Sequence, residues 1–95
     1  MVIDKNKIFV DADKIVFPLT VRKWNKGDYF YPFGMSGKKK LSKFFKDEKY
    51  SLIDKENTWI LTSDDAILWV IGTRMDDRIK VTEKTKKIVQ IEYCK

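Results

Sequence analysis

Short apolar stretches recur along the chain and are separated by polar turns that contain Gly, Asp or Asn. Alternation of apolar and polar positions is typical of strands with one buried face, whereas a continuous apolar run is typical of a central strand. Both patterns predict about seven short strands, with a tight turn at Asp64 and Asp65 that joins two of them into a hairpin. The stretches concerned lie at residues 8–10, 14–17, 19–24, 58–62, 67–71, 78–82 and 85–93, and residues 29–31 can resume a strand.

One segment has the period of a helix instead. Leu41, Phe44 and Phe45 follow the spacing i, i+3 and i+4, which places three apolar side chains on one helical face. The same segment predicts a helix near residues 39–48 that lies on the sheet and presents amino groups to solvent. The lysines of this segment are Lys38, Lys39, Lys40, Lys43 and Lys46.

The predicted strands follow one another without helical crossovers, which argues against a parallel sheet. The fold class is therefore mainly β, with α+β possible: a small antiparallel β-sandwich or barrel-like domain with one helix. A length of 95 residues suits a single domain that covers residues 1–95. Hydrophobic residues make up 43% of the chain, which is typical of a folded domain.

Charge and cysteine content indicate which partners and which cellular compartment suit this chain. Lys and Arg number 20 against 14 Asp and Glu, a formal net charge of +6 that suits a phosphate-rich partner but also ordinary solubility. No apolar run approaches the ~20 residues that span a bilayer, so no membrane association is predicted. The early polar residues predict no signal peptide, and the lone Cys94 fits a reducing compartment. We therefore expect a cytoplasmic location.

The usual residues of enzyme active sites are scarce. The sequence has no histidine and a single cysteine, and it lacks the common phosphate-binding and nucleophile motifs, so neither catalysis nor a metal site is predicted. The adjacent acids Asp76 and Asp77 stand among two arginines and a lysine. We expect Asp77 to orient a guanidinium instead of binding a metal ion.

Two motif-rich stretches together resemble the C-terminal domain of tRNA(Ile)-lysidine synthase. The second half of the resemblance runs from Trp59 to Thr82, and the match covers residues 17 to 85 in order. Its later motif is Trp59-Ile60-Leu61, then Ile67-x-Trp69-Val70-x-Gly72-x-Arg74-x-Asp76-Asp77-Arg78-x-Lys80-Val81-Thr82. The first half is Arg22-x-Trp24-x-x-Gly27-Asp28-x-Phe30-x-Pro32-x-Gly34-Met35-x-Gly37-x-Lys39-Lys40-Leu41-Ser42-Lys43-Phe44-Phe45-x-Asp47-x-Lys49.

The resemblance implies a tRNA-docking role without catalysis. Enzymes of this bacterial family use ATP to attach lysine to C2 of the wobble cytidine of tRNA(Ile), which makes them carbon–nitrogen ligases. That chemistry belongs to an N-terminal ATP-binding domain with a Ser-Gly-Gly-x-Asp-Ser loop, which this chain lacks. ATP and Mg²⁺ would bind there, and this chain would need no cofactor. Its partners would be tRNA(Ile), held at the acceptor stem, and the enzyme's own N-terminal domains.

The chain departs from the family pattern directly after the predicted helix. The family commonly continues with a Val/Ile-Pro-Arg run, whereas this chain has Tyr50-Ser51-Leu52-Ile53-Asp54-Lys55. Only Lys55 could supply the lost charge, so a tRNA contact at this point is not expected to be kept.

The candidate tRNA-binding groups are cations along both halves of the motif. The alternatives are a solvated lysine face and arginines that pair with Asp28, Asp76 or Asp77. We expect three glycines to set the loop geometry that lets the backbone approach a ligand, namely Gly27, Gly34 and Gly37. The predicted tRNA-binding residues are Arg22, Lys38, Lys39, Lys40, Lys43, Arg74, Arg78 and Lys80.

Aromatic residues divide between core and surface roles. Trp59 and Trp69 lie in apolar strands and are predicted to be buried, whereas the place of Trp24 stays open. Tyr29, Tyr31 and Phe33 are expected to cover the helix, with Tyr31 or Phe33 the best candidates to stack on a base. A rival hypothesis is a protein-interaction module that packs on its parent enzyme or forms a homodimer.

Overall fold

Eight short strands and two α-helices form the domain in the computed structural model, which describes residues 6–94. The helices are α1 (Leu41–Asp47) and α2 (Leu52–Glu56). The strands are β1 (Lys7–Asp11), β2 (Leu19–Lys23), β3 (Tyr29–Phe30), β4 (Lys39–Lys40), β5 (Trp59–Ser63), β6 (Ala66–Val70), β7 (Arg74–Met75) and β8 (Ile88–Glu92). Within residues 6–94, no helix is long and apolar enough to cross a membrane.

All strand pairs are antiparallel, which confirms the predicted fold class. A four-stranded sheet has the order β2-β5-β6-β7, and β1 pairs with β8 and β3 with β4 in two further sheets. The predicted hairpin of β5 and β6 is confirmed, and both turn residues, Asp64 and Asp65, have left-handed backbones with φ of 48° and 67°.

The four-stranded sheet is covered on both faces by apolar residues. On one face Leu61 and Trp69 pack with Val10 of β1 and Ile79. Partly buried residues of β8 pack against the same cluster, so the β1–β8 pair closes this side of the sheet.

The opposite face is covered by α1. Phe44 and Phe45 pack with Phe30 of β3 and with Ile60 and Val70 of the sheet. The predicted helical face is thus buried, and its burial fixes β3 and β4 beside the sheet. Fully burying each phenylalanine contributes about 1.5–3 kcal/mol.

Three local structures differ from the sequence prediction, and in two of them an aspartate side chain bonds to the backbone. The helix begins at Leu41, since residues 39–40 pair with β3 instead. The expected strands at 14–17 and 78–82 are replaced by the 3₁₀ turns Ala12–Lys14 and Asp77–Ile79. In each turn a preceding aspartate accepts a bond from the N–H two residues on, which draws the chain out of an extended path.

The segment after α1 forms a short helix that the sequence pattern did not predict. Tyr50 stacks on Phe45 at a ring distance of 4.9 Å, so the departure from the family pattern fills the core here. Ser51 then caps α2, with reciprocal bonds between its side chain and the N–H of Asp54 and between the Asp54 carboxylate and the N–H of Ser51.

A buried carboxylate joins β3's continuation to the turn after β7. Asp76 is fully buried, and its carboxylate accepts the N–H of Tyr31 at 3.0 Å and the N–H of Arg78 at 2.7 Å. The guanidinium of Arg78 adds two bonds at 3.0 Å each. Because the carboxylate is satisfied on both oxygens, it can stay charged inside the fold.

A second carboxylate shapes the turn between β2 and β3. Asp28 accepts two bonds from Arg22, at 2.9 and 3.0 Å, and one from the N–H of Asn25 at 2.6 Å. Burial alone would raise the pKa of Asp28, but the bonds from Arg22 and Asn25 outweigh it and hold that pKa below its ordinary value. Gly27 completes this turn with a φ of 98°.

Replacement of Asp76 tests the buried anchor. Asp76→Ala leaves the N–H groups of Tyr31 and Arg78 without an acceptor, so we expect the free energy of unfolding to fall by about 3 kcal/mol or more. Asp77→Ala is the matched control, because within residues 6–94 the Asp77 carboxylate contacts Lys80 and the N–H of Gly34, near the surface. Urea titration measures both variants, and Asp77→Ala should lower the free energy of unfolding by about 1 kcal/mol or less. Equal losses would contradict a special role for Asp76.

The pH dependence of stability tests the Arg22–Asp28 pair. Because the pKa of Asp28 is lower in the folded state, its contribution is present above the unfolded value of about 3.9 and is lost as the pH falls through the folded value. We expect Asp28→Asn to be less stable at about pH 6 and to lose less stability than the wild type on going to about pH 3. Urea titrations at both pH values measure the free energy of unfolding. If the wild type and Asp28→Asn lost the same stability between the two pH values, the prediction would be contradicted.

Candidate nucleic-acid interface

Asp47 pairs with two of the lysines in and just before α1. The amino group of Lys39 lies 2.5 Å from the Asp47 carboxylate, and that of Lys43 lies 3.7 Å from it. The bond from Lys39 is the main cause of a lowered pKa at Asp47. Two of the predicted tRNA-binding residues therefore share one carboxylate within the domain.

Two other lysines are held on the β3–β4 pair and are free of acids. The amino group of Lys38 lies 4.4 Å from the centre of the Tyr29 ring, a cation–π contact. Lys40 is exposed and lies opposite Tyr29 in the strand register, so its side chain leaves the same face of the pair. Within residues 6–94, neither amino group forms an ion pair.

Arg78 approaches the same face from the turn after β7. Its guanidinium lies 4.3 Å from the centre of the Tyr31 ring, and the rings of Tyr31 and Tyr29 are 6.3 Å apart. Asp76 fixes this guanidinium through Nε and Nη2 and raises its pKa, while 44% of the side chain stays exposed. We call the surface formed by Tyr29, Tyr31, Lys38, Lys40 and Arg78 the tyrosine face.

The glycine-containing loop between β3 and β4 is fixed against β7. The N–H of Phe33 donates to the carbonyl of Met75 at 2.9 Å, and the N–H of Gly34 donates to Asp77 at 3.4 Å. Gly34 and Gly37 have φ values of 80° and 86°, which suit glycine and explain its use at both positions. The loop therefore holds a defined shape beside the tyrosine face.

Arg74 lies at the edge of this loop. Its guanidinium donates to the carbonyl of Phe33 at 3.5 Å and lies 3.9 Å from the Glu48 carboxylate. Lys80 sits further along the chain, where its amino group lies 3.3 Å from the carboxylate of Asp77. Both cations are partly balanced by acids, and Arg74 is the nearer of the two to the loop.

Arg22 is separated from the tyrosine face by acids. It is bound bidentately to Asp28, whose pairing also raises the pKa of the guanidinium. Asp28, Asp64 and Asp65 line an open depression of about 280 Å³ together with Tyr29 and Arg78. The Arg22 guanidinium therefore serves mainly to shape this turn.

The structure thus divides the predicted residues into two groups. Lys38, Lys40 and Arg78 meet on the tyrosine face, with Arg74 at the adjoining loop. The remaining cations are engaged with Asp28, Asp47 or Asp77, and they are Arg22, Lys39, Lys43 and Lys80.

Two expectations about individual residues are wrong. Arg78 is oriented by Asp76, not by Asp77, because the carboxylate of Asp77 binds Lys80 instead. Trp59, at the start of β5, is 40% exposed under the amino group of Lys23, its partner in the edge strand β2, whereas Trp69 is buried as predicted.

Tyr29, expected to cover the helix, and Phe33, a stacking candidate, both lie on the outer side of β3 and its continuation. Tyr29 is 44% exposed and Phe33 47% exposed, while the intervening Phe30 is buried against α1. The alternation in positions 29–33 of the sequence carries the signal, since every second residue faces away from the helix.

Comparison with known proteins identifies one family that matches most of the chain. The family model described as "TilS substrate C-terminal domain" matches residues 19–93. The tRNA(Ile)-lysidine synthase of Parabacteroides distasonis is 52% identical over 93 residues, which cover 96% of this chain and 21% of that protein. The enzyme of Bacteroides thetaiotaomicron is 43% identical over 86 residues, covering 90% of this chain and 20% of that protein. The chain thus spans about a fifth of the length of these curated relatives.

Solved structures share the fold. A crystal structure of a TilS C-terminal domain superposes with a TM-score of 0.75 at 22% identity, covering 98% of this chain and 75% of that one. An N-terminal fragment of the phenylalanyl-tRNA synthetase β-subunit from Pyrococcus horikoshii gives a TM-score of 0.73 at 20% identity, over 88% of this chain and 26% of that one. These findings confirm the resemblance seen in the sequence: the chain belongs to the TilS substrate C-terminal domain family.

Proposed function

We propose that this domain docks tRNA(Ile) at its acceptor stem on behalf of a tRNA(Ile)-lysidine synthase. The observation that carries this proposal is the convergence of Lys38, Lys40 and Arg78 on one face, around the exposed ring of Tyr29 and the half-buried ring of Tyr31. The sequence predicts docking through the Lys-rich helix and the Gly-rich loop before it. The ion pairs of Lys39 and Lys43 with Asp47 favour the tyrosine face and this loop over the helix.

The charges on this face suit a sugar–phosphate backbone. The amino groups of Lys38 and Lys40 are unpaired within the described residues, so phosphate contacts there would not require any internal ion pair to break. Arg78 uses Nε and Nη2 for Asp76, which leaves the N–H groups of Nη1 to donate to a phosphate. Such contacts read the shape of an A-form stem more than its sequence, and they release counterions.

The chemistry of the parent enzyme would lie elsewhere. We propose that an ATP-binding domain outside this chain attaches lysine to the wobble cytidine in the cytoplasm, with ATP and Mg²⁺ bound there. This domain would contribute no catalytic residue and no cofactor. Its task would be to hold one end of the tRNA while the anticodon is modified at the other.

A second candidate function is packing on another protein surface. Val21 is 54% exposed and Trp59 is 40% exposed, on the β2 side of the four-stranded sheet, where β2 forms an edge. Exposed apolar residues on an edge favour contact with the parent enzyme or a second copy of the chain. Light scattering over a range of concentrations, alongside a tRNA titration, distinguishes docking from protein packing. A stable dimer that does not bind tRNA would favour protein packing.

Removal of two positive charges from the tyrosine face tests the docking proposal. Lys38→Gln/Lys40→Gln should weaken binding to a tRNA(Ile) transcript and reduce the slope of log Kd against log salt by about 1 to 2. Fluorescence anisotropy at several salt concentrations measures both quantities.

Two matched variants separate this face from general charge. Lys86→Gln/Lys87→Gln removes the same charge beside β8, and Lys43→Gln/Lys46→Gln removes it from α1. We expect both to change binding less than the tyrosine-face variant does. Equal effects from all three variants would indicate a diffuse electrostatic attraction, and the absence of tRNA binding at low salt would contradict docking altogether.

A further inference from the structure

Three aromatic side chains project in a row from β3 and its continuation. Phe30 and Pro32 are fully buried, so the alternation of an extended chain places Tyr29, Tyr31 and Phe33 on the outer side. A bridge between Pro32 and the β7 turn keeps this part of the chain extended as far as the loop. We call Tyr29, Tyr31 and Phe33 the aromatic row.

The spacing of the row differs from that of stacked bases. The Tyr29 and Tyr31 ring centres lie 6.3 Å apart, close to the two-residue repeat of a strand. Consecutive bases in a duplex strand are separated by about 3.4 Å. Successive rings can therefore each accept one base only where the bases are not stacked on each other, as in a single strand.

Tyr29 and Phe33 are exposed, Tyr31 is half-buried, and the row is held in place before any ligand arrives. Tyr29 and Phe33 are 44% and 47% exposed. The backbone that carries them is tied down by bonds from Tyr31 N–H to Asp76 and from Phe33 N–H to the carbonyl of Met75. Little conformational entropy would therefore be lost when a base stacks on them.

Each part of the row has a cation beside it. Lys38 covers Tyr29, Arg78 covers Tyr31, and Arg74 donates to the carbonyl of Phe33. Rings that take base faces, next to cations that take phosphates, are the two components of a single-strand binding surface. Trp59 has a cation over its ring too, but it is a solitary ring without such a row.

We propose that the aromatic row is a stacking site for single-stranded RNA, and that its ligand is the unpaired 3′ end that extends from the acceptor stem. This inference rests on the docking function proposed above, which brings the acceptor end to the adjoining tyrosine face. It adds that the domain contacts base faces beyond the duplex, without preference for sequence, because every base has a face that can stack.

The test compares three RNAs on the same chain. They are a full tRNA(Ile) transcript, a transcript without the unpaired 3′ nucleotides, and one in which these nucleotides are replaced by abasic ribose phosphates. The full transcript should bind at least about fivefold more tightly than either of the others. A 2-aminopurine at the 3′ end should change in fluorescence on binding, since stacking on a ring alters its emission.

Substitutions assign the effect to the row. Tyr29→Ala/Phe33→Ala and the milder Phe33→Leu should bring the ratio of the affinities for the full and the shortened transcript close to one, whatever each variant does to binding of the stem itself. Trp59→Ala is the matched control, because it removes an exposed ring with a cation over it from another part of the domain. This variant should still bind the full transcript more tightly than the shortened one by the same factor as the wild type. Thermal unfolding of each variant checks that it is folded.

The outcomes separate the two proposals. Equal binding of the full and shortened transcripts would overturn the stacking site while leaving the docking function in place. Binding of the abasic transcript as tightly as the full one would also overturn it, because the contacts would then be to phosphates alone. Failure of all three RNAs to bind at low salt would overturn both proposals.

Discussion

The buried carboxylate of Asp76 is the contact on which the geometry of the candidate interface depends. It bonds to the backbone of Tyr31 on one side and to the guanidinium of Arg78 on the other. A charged group is costly to bury unless every oxygen is satisfied, so the segments around it are constrained to meet in one arrangement. One side chain thereby sets the distance between an arginine and an aromatic ring on the outer surface.

The same short strand connects the core to the proposed site. Phe30 packs against Phe44 of α1 at a ring distance of 5.1 Å, while its two neighbours in sequence face outward. Any RNA bound by the outer rings is therefore supported by the packing of the helix behind them. The helix acts as a support for the binding face, and Asp47 at its end pairs with Lys43 of the helix and with Lys39 of β4.

The sequence predicted the elements whose signals are periodic. The spacing of Leu41, Phe44 and Phe45 predicted a helix with a buried face, and the run at 67–71 predicted a central strand; both are confirmed. The short strands and 3₁₀ turns were harder, because a single aspartate side chain can decide between an extended chain and a turn.

The binding face could be predicted only in part. The sequence identified the right cations as candidates but could not show which of them an acid would occupy, since Asp47 meets Lys39 only after the chain has turned through α1. Likewise, Trp59 and Trp69 have similar apolar neighbours in sequence, yet only Trp69 is enclosed by the packed sheet. Pairings across the fold are tertiary properties that no local pattern contains.

Amide chemical-shift mapping of the isotope-labelled domain with a short acceptor-stem hairpin shows directly whether RNA binds at the tyrosine face. We predict that the shift changes concentrate in residues 29–40 and 74–80, spare residues 86–93 beside β8, and become smaller as the salt concentration is raised. Shifts centred on the exposed face of α1, or on Val21 and Trp59, would contradict it.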